Sequence, residues 1–580
     1  MALVPFGEFL PDQPEFNNPG SNEILNAVPL TDQSYGPALQ LSSVTGALNA
    51  RAQGAMFTRD ASANVNGFAG DATRLYRYAA GSTAWTDITS RNAGKSISAI
   101  TKANPGQVTA AAHGFSNGDI IYISGVVGMT QVNGLYFTIT VVDANNFTIG
   151  VNTSAYSAYV SGGTAQHVNV YSVATDERWN FVQFGERIIA ASIANNLQSY
   201  VMNSSSAFAD LSGTAPKARY IARVRDQFVM VANTVDGTYG SVPQRVWWPA
   251  IGDPTTWPTP GTSTAAQVQS DYRDLLGDGG ANQGIVGGLA GADIAVVQER
   301  AIWRGMYIGP PVIFSFTVVE SARGTPAPGS IVSVGPVMFY LADDGFYSFD
   351  GMQSTPIGHQ KVDKFFWSDV DQNYLYRITA AVDPLNKLIY WAYPGPQNSG
   401  GTPNRVMIYN YGLNRWSHCD QYSVELMVSR SLSTGYTLDQ LDPFGTLETL
   451  PFSLDSRVWT GGKLQLAAFD TSHKMGFFSG STLGATLETS EGNMNDKGQA
   501  HVVRVWPMVD TSAATITVGR RNRIADAVTW GTPTAMTSST GSCSLRSTAT
   551  FHRARVSIPA GTVWTHAQGV QLDWRPSGNR

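Results

Sequence analysis

Short runs of alternating apolar and polar residues, separated by glycine-rich turns, dominate residues 100–163. The alternation passes through Val108 and residues 120–123, 136–142 and 147–149. A period of two is the pattern of a strand with one buried face. Runs this short predict a small closed β-sheet. Because the same pattern resumes on both sides of the segment, the sequence predicts an insertion within a longer β domain.

Several short motifs in this segment resemble a small module that recurs as an insert in bacteriophage tail proteins and was first described in ubiquitin-activating enzymes. The motifs are Val108-Thr109, His113-Gly114, Asn117-Gly118-Asp119, GVVGMT at 125–130, Asn133-Gly134 and the strand pair around 138–140 and 146–148. We expect His113 to serve a turn. It is a single histidine with no Cys, Asp or Glu cluster at the spacing of metal ligands.

A unit of two strands recurs along the chain outside this segment. In each copy a turn precedes four or five apolar residues, and after a second turn comes a strand that ends in an aromatic residue. Copies start near residues 184, 224, 291, 335 and 384. A period of about 40 to 50 residues, with four short strands per unit, is typical of propeller blades. A lone blade cannot bury both faces, so blades stack until the ring closes. Unrelated hairpins in a β-sandwich are the alternative.

The predicted fold class is all-β: a β-propeller of six or seven blades with an inserted small β-barrel and a C-terminal β-sandwich-like region. Insertion into a loop costs little, because closure entropy grows slowly with loop length. The predicted divisions are an extended N-terminal arm at 1–45, the first part of the first blade at 46–95, the inserted barrel at 96–167, the rest of the propeller at 168–485, and a C-terminal β-sandwich or closing sheet at 486–580.

The composition favours a protein with large interfaces. Charged residues make up 14% of the chain, against about 25% in an average globular protein. Of the 38 basic residues, 9 are Lys and 29 are Arg. Protein interfaces deplete Lys and enrich Arg and aromatic residues. The net charge of −5 argues against a surface built to grip nucleic acid.

The sequence carries little that points to catalysis. It contains no Gly-x-Ser-x-Gly elbow, phosphate loop or HExxH motif. Asp343-Asp344-Gly345 is expected to form a hairpin turn, since Asp-Gly is a favoured turn pair. The Gly-rich segments at 277–280 and 284–288 are expected to be turns that lead into a strand. We therefore predict no catalytic, cofactor-binding or metal-ligating residue, no cofactor and no enzymatic activity.

Two further groups of residues leave alternatives open. The basic residues Arg520, Arg521, Arg523, Arg553 and Arg555 either bind phosphate or are solvated or interface residues, and the second interpretation is favoured. Cys419 and Cys543 match no zinc or redox spacing. A single bridge between them stays open beside the favoured prediction of two buried free thiols.

The central segment carries an ordered series of short blocks. They include RVWWPAIGDP at 245–254, QERAIWR at 298–304, YIGPP at 307–311, DGFY at 344–347, FDG at 349–351, KVD at 361–363, AVDP at 381–384 and WAYP at 391–394. Together these blocks resemble the tail nozzle family of short-tailed bacteriophages, also called tail tubular protein B or phage stabilisation proteins. The resemblance runs through most of residues 45–480.

The resemblance implies a structural subunit that forms a homo-hexameric ring and continues the DNA ejection channel. The implied partners are the adaptor (head-to-tail connector) protein, tail fibre or spike proteins, and viral double-stranded DNA that passes without sequence-specific contact. The implied location is the virion tail, after synthesis in the cytoplasm of a bacterial host. The N-terminus lacks a signal-peptide pattern, and no apolar run is long enough to span a bilayer.

Two other functions remain as alternatives at this point. One is a carbohydrate-binding or glycan-cleaving propeller of a receptor-binding tail spike. The other is a β-propeller scaffold of a host cell. The expected oligomeric states differ: a sixfold ring for the nozzle, a trimer for the spike and a monomer for the scaffold.

Overall fold

The computed structural model describes residues 2–16, 18–79, 82–431, 445–446, 464–495 and 498–578. Strands dominate these residues, and nearly all of the strand pairs are antiparallel. The all-β prediction is therefore confirmed. The described part includes two α-helices of one or two turns, α1 (Ser263–Gln267) and α2 (Asp363–Asp369).

Seven four-stranded antiparallel units make up most of the chain, and we name them S1 to S7. Within S1 to S6, strands consecutive in sequence pair side by side. The glycine-rich turns noted in the sequence connect many of these pairs. The strands, numbered in chain order, are as follows. S1 contains β6 (Gly54–Arg59), β7 (Val65–Gly70), β8 (Leu75–Ala79) and β9 (Thr86–Asp87); S2 contains β18 (Asn180–Phe184), β19 (Arg187–Ala191), β20 (Gln198–Val201) and β21 (Ala209–Asp210); S3 contains β22 (Lys217–Val224), β23 (Phe228–Asp236), β24 (Gly240–Trp248) and β25 (Asp271–Asp274); S4 contains β26 (Asn282–Leu289), β27 (Ala292–Gln298), β28 (Ile302–Gly309) and β29 (Ile313–Glu320); S5 contains β30 (Val332–Val334), β31 (Val337–Ala342), β32 (Gly345–Phe349) and β33 (Ser354–Pro356); S6 contains β34 (Thr379–Asp383), β35 (Leu388–Tyr393), β36 (Arg405–Asn410) and β37 (Arg415–Cys419); S7 contains β38 (Val424–Ser431), β39 (Leu464–Asp470), β40 (Lys474–Thr482) and β5 (Leu39–Ala47).

Neighbouring units contact each other through their first strands, except that S4 meets S5 at its second strand. The contacts run from β6 to β18, β22 and β26, pass to β31 of S5, and continue from β30 to β34 and β38. Strand β38 packs against β6, so the series returns to its start. Separate hydrophobic clusters fill the space between successive units; Phe68, Trp179 and Tyr200, for example, lie between S1 and S2. Each unit thus buries both faces against its neighbours, which one sheet alone cannot do.

Outside the inserted segment, the remaining described strands come from the two ends of the chain and form two larger sheets. S6 continues into a ten-stranded sheet, and the other sheet has six strands. One shared core, which includes Val505, Ile516, Val556 and Val570, lies between these elements. S6 is extended by β2 (Ile24–Leu25), β41 (Ala485–Glu488), β43 (Thr515–Arg521), β44 (Thr529–Trp530), β45 (Thr534–Ala535) and β47 (Phe551–Ile558); the other sheet contains β1 (Ala2–Pro5), β3 (Ala27–Thr31), β4 (Ser34–Pro37), β42 (Gln499–Val509), β46 (Cys543–Ala549) and β48 (Ala567–Ser577).

The segment predicted as an extended arm, 1–45, contributes to five strands in its described part. Its β5 is the fourth strand of S7, where it pairs with β40 more than 400 positions later. Its Asp12 caps α2: the two carboxylate oxygens accept hydrogen bonds from the backbone N–H groups of Lys364 and Phe365 at 2.9 and 2.8 Å. A carboxylate at a helix N-terminus is favourable because it satisfies free N–H groups and the helix dipole.

The inserted segment forms two four-stranded sheets rather than the predicted closed barrel. The chain crosses between the two sheets four times, at residues 97–98, over 110–119, at Ile139 and over 149–160. At the first crossing the Ile97 N–H donates to the Gly163 carbonyl in one sheet, and the Ser98 N–H donates to the Thr109 carbonyl in the other. The two sheets are therefore separate ladders that share one core. The first sheet has the order β10 (Lys95–Ser96), β17 (Ser161–His167), β13 (Ile120–Val127), β14 (Leu135–Thr138), and the second β11 (Ala99–Ile100), β12 (Gln107–Thr109), β16 (Asn146–Thr148), β15 (Thr140–Asp143).

None of the helices in the described ranges combines the length and the apolar character that crossing a membrane requires.

Candidate functional site

The inserted segment, residues 95–168, has a hydrophobic core of its own, and we call it the module. Every residue of that core cluster lies between Ile97 and Ala165, and Ile121, Val108 and Phe147 are fully buried. The core needs no side chain from S1 or from any other unit. The module is therefore a distinct packing unit joined to S1.

The polar residues of the sequence motifs hold the module's turns. Asn133 accepts a hydrogen bond from the Val126 N–H and donates one to the Val126 carbonyl, both at 2.8 Å, next to Gly125. Asn117 accepts a hydrogen bond from the Val141 N–H at 2.6 Å. Gly125 has φ +74°, a conformation that costs glycine little. These motifs explain the local fold of the segment.

His113 is a buried structural residue. Its Nε2 lies 2.9 Å from the Asp143 carbonyl oxygen, and its Nδ1 accepts a hydrogen bond from the Phe115 N–H at 2.9 Å. This pairing makes Nε2 the protonated nitrogen of a neutral ring. The ring also stacks on Phe115 and meets the edge of Phe147. Both nitrogens are thus engaged within the module.

Arg91 joins the module to S1. Its guanidinium carbon lies 3.7 Å from the centroid of the Tyr122 ring, and its Nη2 donates to the Tyr136 hydroxyl and the Asp87 carbonyl, both at 2.8 Å. Arg74 pairs with the Asp87 carboxylate at 3.1 Å and lies over the Tyr136 ring. Burial, with the charge of Asp87, raises the pKa of Tyr136 above its ordinary value. The junction therefore has a defined geometry.

The opposite end of β13 exposes apolar side chains. Val127 is 52% exposed and Val160 is 67% exposed. They are neighbours, since the Val160 N–H donates to the Val127 carbonyl at 2.9 Å. We call this pair the module tip. It lies five residues along β13 from Tyr122, or roughly 16 Å at about 3.3 Å per residue, so it is away from the junction.

The acidic cluster singled out in the sequence lies at the turn between β31 and β32. Ala342 pairs with Gly345, so Asp343 and Asp344 occupy the turn. The Asp344 carboxylate accepts a hydrogen bond from the Tyr347 hydroxyl at 2.7 Å. Over the described ranges, no group of three or more His, Cys, Asp and Glu residues has an arrangement that could hold a metal ion.

The C-terminal arginines divide into paired and exposed residues. Arg521 pairs with the buried carboxylate of Glu491, and Arg555 pairs with buried Glu488 at 2.5 Å. Arg553 contacts Glu488 at 3.7 Å and Glu15 of the N-terminal segment at 3.4 Å. Carboxylates thus occupy the guanidinium groups that a phosphate would need.

The remaining predicted positions have structural surroundings. Arg520 and Arg523 are exposed. The Gly-rich segments at 277–280 and 284–288 form the approach to β26 and the strand itself. Cys419 and Cys543 are both buried free thiols, and burial raises the pKa of each.

Sequence reasoning missed a cluster of three arginines near a cavity of about 310 Å³, which the first strands of S1 to S7 line. Arg51, Arg178 and Arg377 precede β6, β18 and β34, and their charges act on one another. They are separated by more than 100 positions, so no local motif links them. The excess of Arg over Lys was the one signal, and it does not say which arginines meet.

Residues 103–169 match the family model of the ubiquitin-activating enzyme E1 FCCH domain. Over 78 residues the chain is 42% identical to ubiquitin-like modifier-activating enzyme 1 of the rabbit, Oryctolagus cuniculus. The matched segment covers 13% of this chain and 7% of the rabbit protein. The human protein of the same name is 41% identical over the same length and coverage. The chain thus spans about 7% of the length of these curated relatives.

These matches contradict the resemblance to the tail nozzle family. The predicted tail nozzle subunit is wrong, and so is the alternative of a carbohydrate-binding or glycan-cleaving tail spike. The predicted homo-hexamer, adaptor, fibre or spike partners, passing viral DNA and virion location are wrong with them. The prediction that the chain is not an enzyme is contradicted too, because the matched relatives are activating enzymes by name.

The blocks that carried that resemblance have a general structural cause. Asp344-Gly345 lies at a hairpin turn, Phe349 ends β32, and Asp350 accepts hydrogen bonds from the backbone N–H groups of Met352 and Gln353 in the next turn. Turn residues and aromatic strand ends recur wherever four-stranded sheets repeat. Their order therefore reports the repeated sheets and does not identify one family.

Proposed function

We propose that this chain is a β-propeller scaffold that presents an FCCH-type module for binding a ubiquitin-like modifier. The observation that carries the proposal is the match of residues 103–169 to the FCCH domain. The same segment brings similarity to an enzyme that is named for acting on ubiquitin-like modifiers. Because the module has its own core, its surface is formed independently of S1 to S7.

The module tip is the surface we assign to the modifier. Val127 and Val160 are adjacent and largely exposed, and exposed apolar side chains that cluster are characteristic of protein-binding surfaces. Arg91 and Tyr122 orient the module, so the tip has a fixed direction relative to S1. A fixed direction lowers the entropy that binding must overcome.

The test is calorimetric titration of the full chain with ubiquitin. We expect saturable binding that weakens at least tenfold in Val160→Asp, because a charge at the tip would have to be desolvated. The matched control is Val563→Asp, which places the same charge at an 84% exposed valine outside the module. The proposal fails if the wild-type chain shows no saturable binding, or if Val160→Asp binds as tightly as the wild type.

We infer further that S1 to S7 are the seven blades of the propeller. Three observations support this: first-strand contacts that return from S7 to S1, clusters between successive units, and a cavity of about 310 Å³ lined by a first strand of every unit. The lining includes Gly54, Asn180, Ile221, Ile285, Val332, Ala380 and Met427. Electron microscopy of the purified chain should then show a disc with an axial hole; an open row of sheets would contradict the inference.

The division of the chain is part of the same proposal. We retain the boundaries at 95/96, 167/168 and 485/486, and we propose that the first segment ends before Leu39, because β5 (Leu39–Ala47) pairs with β40 in S7. The inserted segment, 96–167, is supported by the ends of the module, since Arg91 and Val168 form an antiparallel bridge where the chain enters and leaves the module. Excision of 96–167 with a short Gly-Ser bridge should leave the rest of the chain folded, as judged by its circular dichroism and unfolding transition.

A further inference from the structure

Arg51, Arg178 and Arg377 lie just before the first strands of S1, S2 and S6. Arg178 lines the 310 Å³ cavity, and its Nη2 donates to the backbone carbonyls of Tyr376 at 3.0 Å and Ile378 at 2.5 Å. These bonds hold Arg178 beside Arg377, which lies between the two acceptors in sequence. Arg51 donates from Nη2 to the Thr175 carbonyl at 2.8 Å. Backbone carbonyl groups therefore hold Arg178 and Arg51, and the charges of Arg51 and Arg377 both act on Arg178.

The cluster has more positive than negative charge. Glu425 is the carboxylate whose charge acts on both Arg51 and Arg377. Its oxygens already accept from the Ala52 N–H at 3.1 Å and lie 2.8 Å from Nδ1 of His473. The neighbouring carboxylate of Glu177 is occupied by Arg219 at 2.5 Å. Arg51 and Arg377 thus share one carboxylate that is also engaged elsewhere, whereas the charges that act on Arg178 include both of these arginines.

Arg377 has an unused donor in this cluster. The residue is 7% exposed, and its Nε is buried with no hydrogen-bond partner in the part of the chain that the structure describes. A buried donor without a partner carries a desolvation cost. Arg51 and Arg178 are affected as well: burial, with repulsion from neighbouring arginines, lowers the pKa of each to about 10. A bound anion would relieve both the repulsion and the missing bond.

Backbone next to the cluster leaves little room for a side chain. A Cβ at Gly329 would lie 2.5 Å from the guanidinium of Arg178 and 2.1 Å from the Ile378 carbonyl oxygen. Gly329 also lines the cavity. A larger residue at position 329 would therefore collide with the Arg178 guanidinium at the wall of the cavity.

We propose that Arg178, which lines the cavity between the first strands, forms an anion site together with the neighbouring Arg51 and Arg377, and that the ligand of this site is a phosphate group. Guanidinium groups match phosphate oxygens in geometry and charge, because each offers a planar set of donors. A phosphate dianion would balance the positive charge that Glu425 leaves uncompensated. The phosphate is either free or part of an organic ester.

The test uses the full chain in phosphate-free buffer. Inorganic phosphate and adenosine monophosphate are titrated separately by calorimetry, with thermal unfolding as a second readout. We expect saturable binding of at least one of the two and a ligand-dependent rise in the unfolding temperature. Binding of phosphate alone would identify a free anion, and binding of adenosine monophosphate would identify an ester.

Arg377→Gln should weaken that binding at least tenfold. Without ligand it should unfold no earlier than the wild type, since it removes a repelling charge. The matched control is Arg523→Gln, at an exposed arginine outside the cluster. Should Arg377→Gln fail to fold, Arg51→Gln serves the same comparison. The proposal is overturned if the wild type binds neither probe, or if the folded cluster variant binds as tightly as the control.

Discussion

Arg91 lies with its guanidinium 3.7 Å from the ring centroid of Tyr122, so a residue of the linker from S1 stacks on the first sheet of the module. The same guanidinium bonds to the Tyr136 hydroxyl and the Asp87 carbonyl. One side chain therefore connects three points of the junction. The orientation of the module depends on this residue, whereas its core does not.

Arg91→Ala is expected to loosen the junction without unfolding the module. A desolvated cation–π contact contributes about 0.5–2 kcal/mol. Amide hydrogen exchange should therefore accelerate at residues 88–94 and 167–170 but stay unchanged at Ile121 and Phe147. Arg546→Ala, at an exposed arginine in β46, is the control. Unchanged exchange at the junction would show that Arg91 does not orient the module.

Gly476→Ala is expected to disrupt the pairing of β40 with β5. A Cβ at this position would lie 2.3 Å from the Ser42 carbonyl oxygen and 2.9 Å from the Ser43 Cα, which are backbone atoms that cannot move alone. Overpacking of this kind costs about 1–3 kcal/mol. Urea unfolding measures the loss. Gly46→Ala in β5 is the matched control, because its nearest neighbour would be 3.6 Å away; equal stabilities of the two variants would contradict the argument.

Glu491→Gln should destabilise the chain by about 3 kcal/mol, because the buried Arg521 loses its buried partner and keeps only the more exposed Glu15 carboxylate, at 3.4 Å. The two side chains are 1% and 6% exposed. The double variant Glu491→Gln/Arg521→Met should recover most of the loss, since it also removes the buried cation. Asp226→Asn breaks an exposed pair with Arg223, and a cost of about 0.5 kcal/mol or less is expected there. Chemical unfolding of the wild type and the three variants measures these differences in stability. No recovery of stability in the double variant would show that the buried Arg521 charge is not the cause of the loss.

Asp363 makes stability depend on pH. Burial raises the pKa of its carboxyl from 3.8 to about 7, with added repulsion from Asp12 and Asp344. The folded chain therefore keeps the proton longer than the unfolded chain does. Its contribution to stability is fully present below about pH 4, falls as pH rises to about 7, and is constant above that.

Asp363→Asn should remove this dependence while its amide oxygen still accepts from the Phe346 N–H. The unfolding free energy at pH 7.5 minus that at pH 4.5 should be more negative in the wild type than in the variant. Denaturant unfolding at the two pH values measures it. Identical pH profiles would mean that the Asp363 carboxyl titrates near its ordinary value.

Much of the local structure could be predicted from the sequence. The apolar run at 337–341 became β31, and Asp344-Gly345 lies at the turn that follows it. The motifs of the module predicted turns and short strands, and Asn133 and His113 hold such turns. These predictions succeed because turn chemistry and period-two alternation are local properties.

The partners of distant strands could not be predicted in the same way. Leu25 pairs with His418 in parallel and with Thr486 in antiparallel orientation, and Tyr35 pairs with Ala567. Nothing near these residues in sequence indicates such partners. The pairing of Glu488 and Glu491 with arginines of other strands was missed for the same reason, since it depends on register across the sheet.

The sequence alone determined that this chain is built from short strands, and it marked residues 100–163 as an insertion with its own alternation. Those properties depend on residues within a few positions of one another. Only the tertiary structure decided that the module consists of two sheets, that β5 completes S7, and that Arg51, Arg178 and Arg377 share one charge environment. Such contacts join residues hundreds of positions apart, and they form only when many sheets bury their faces together.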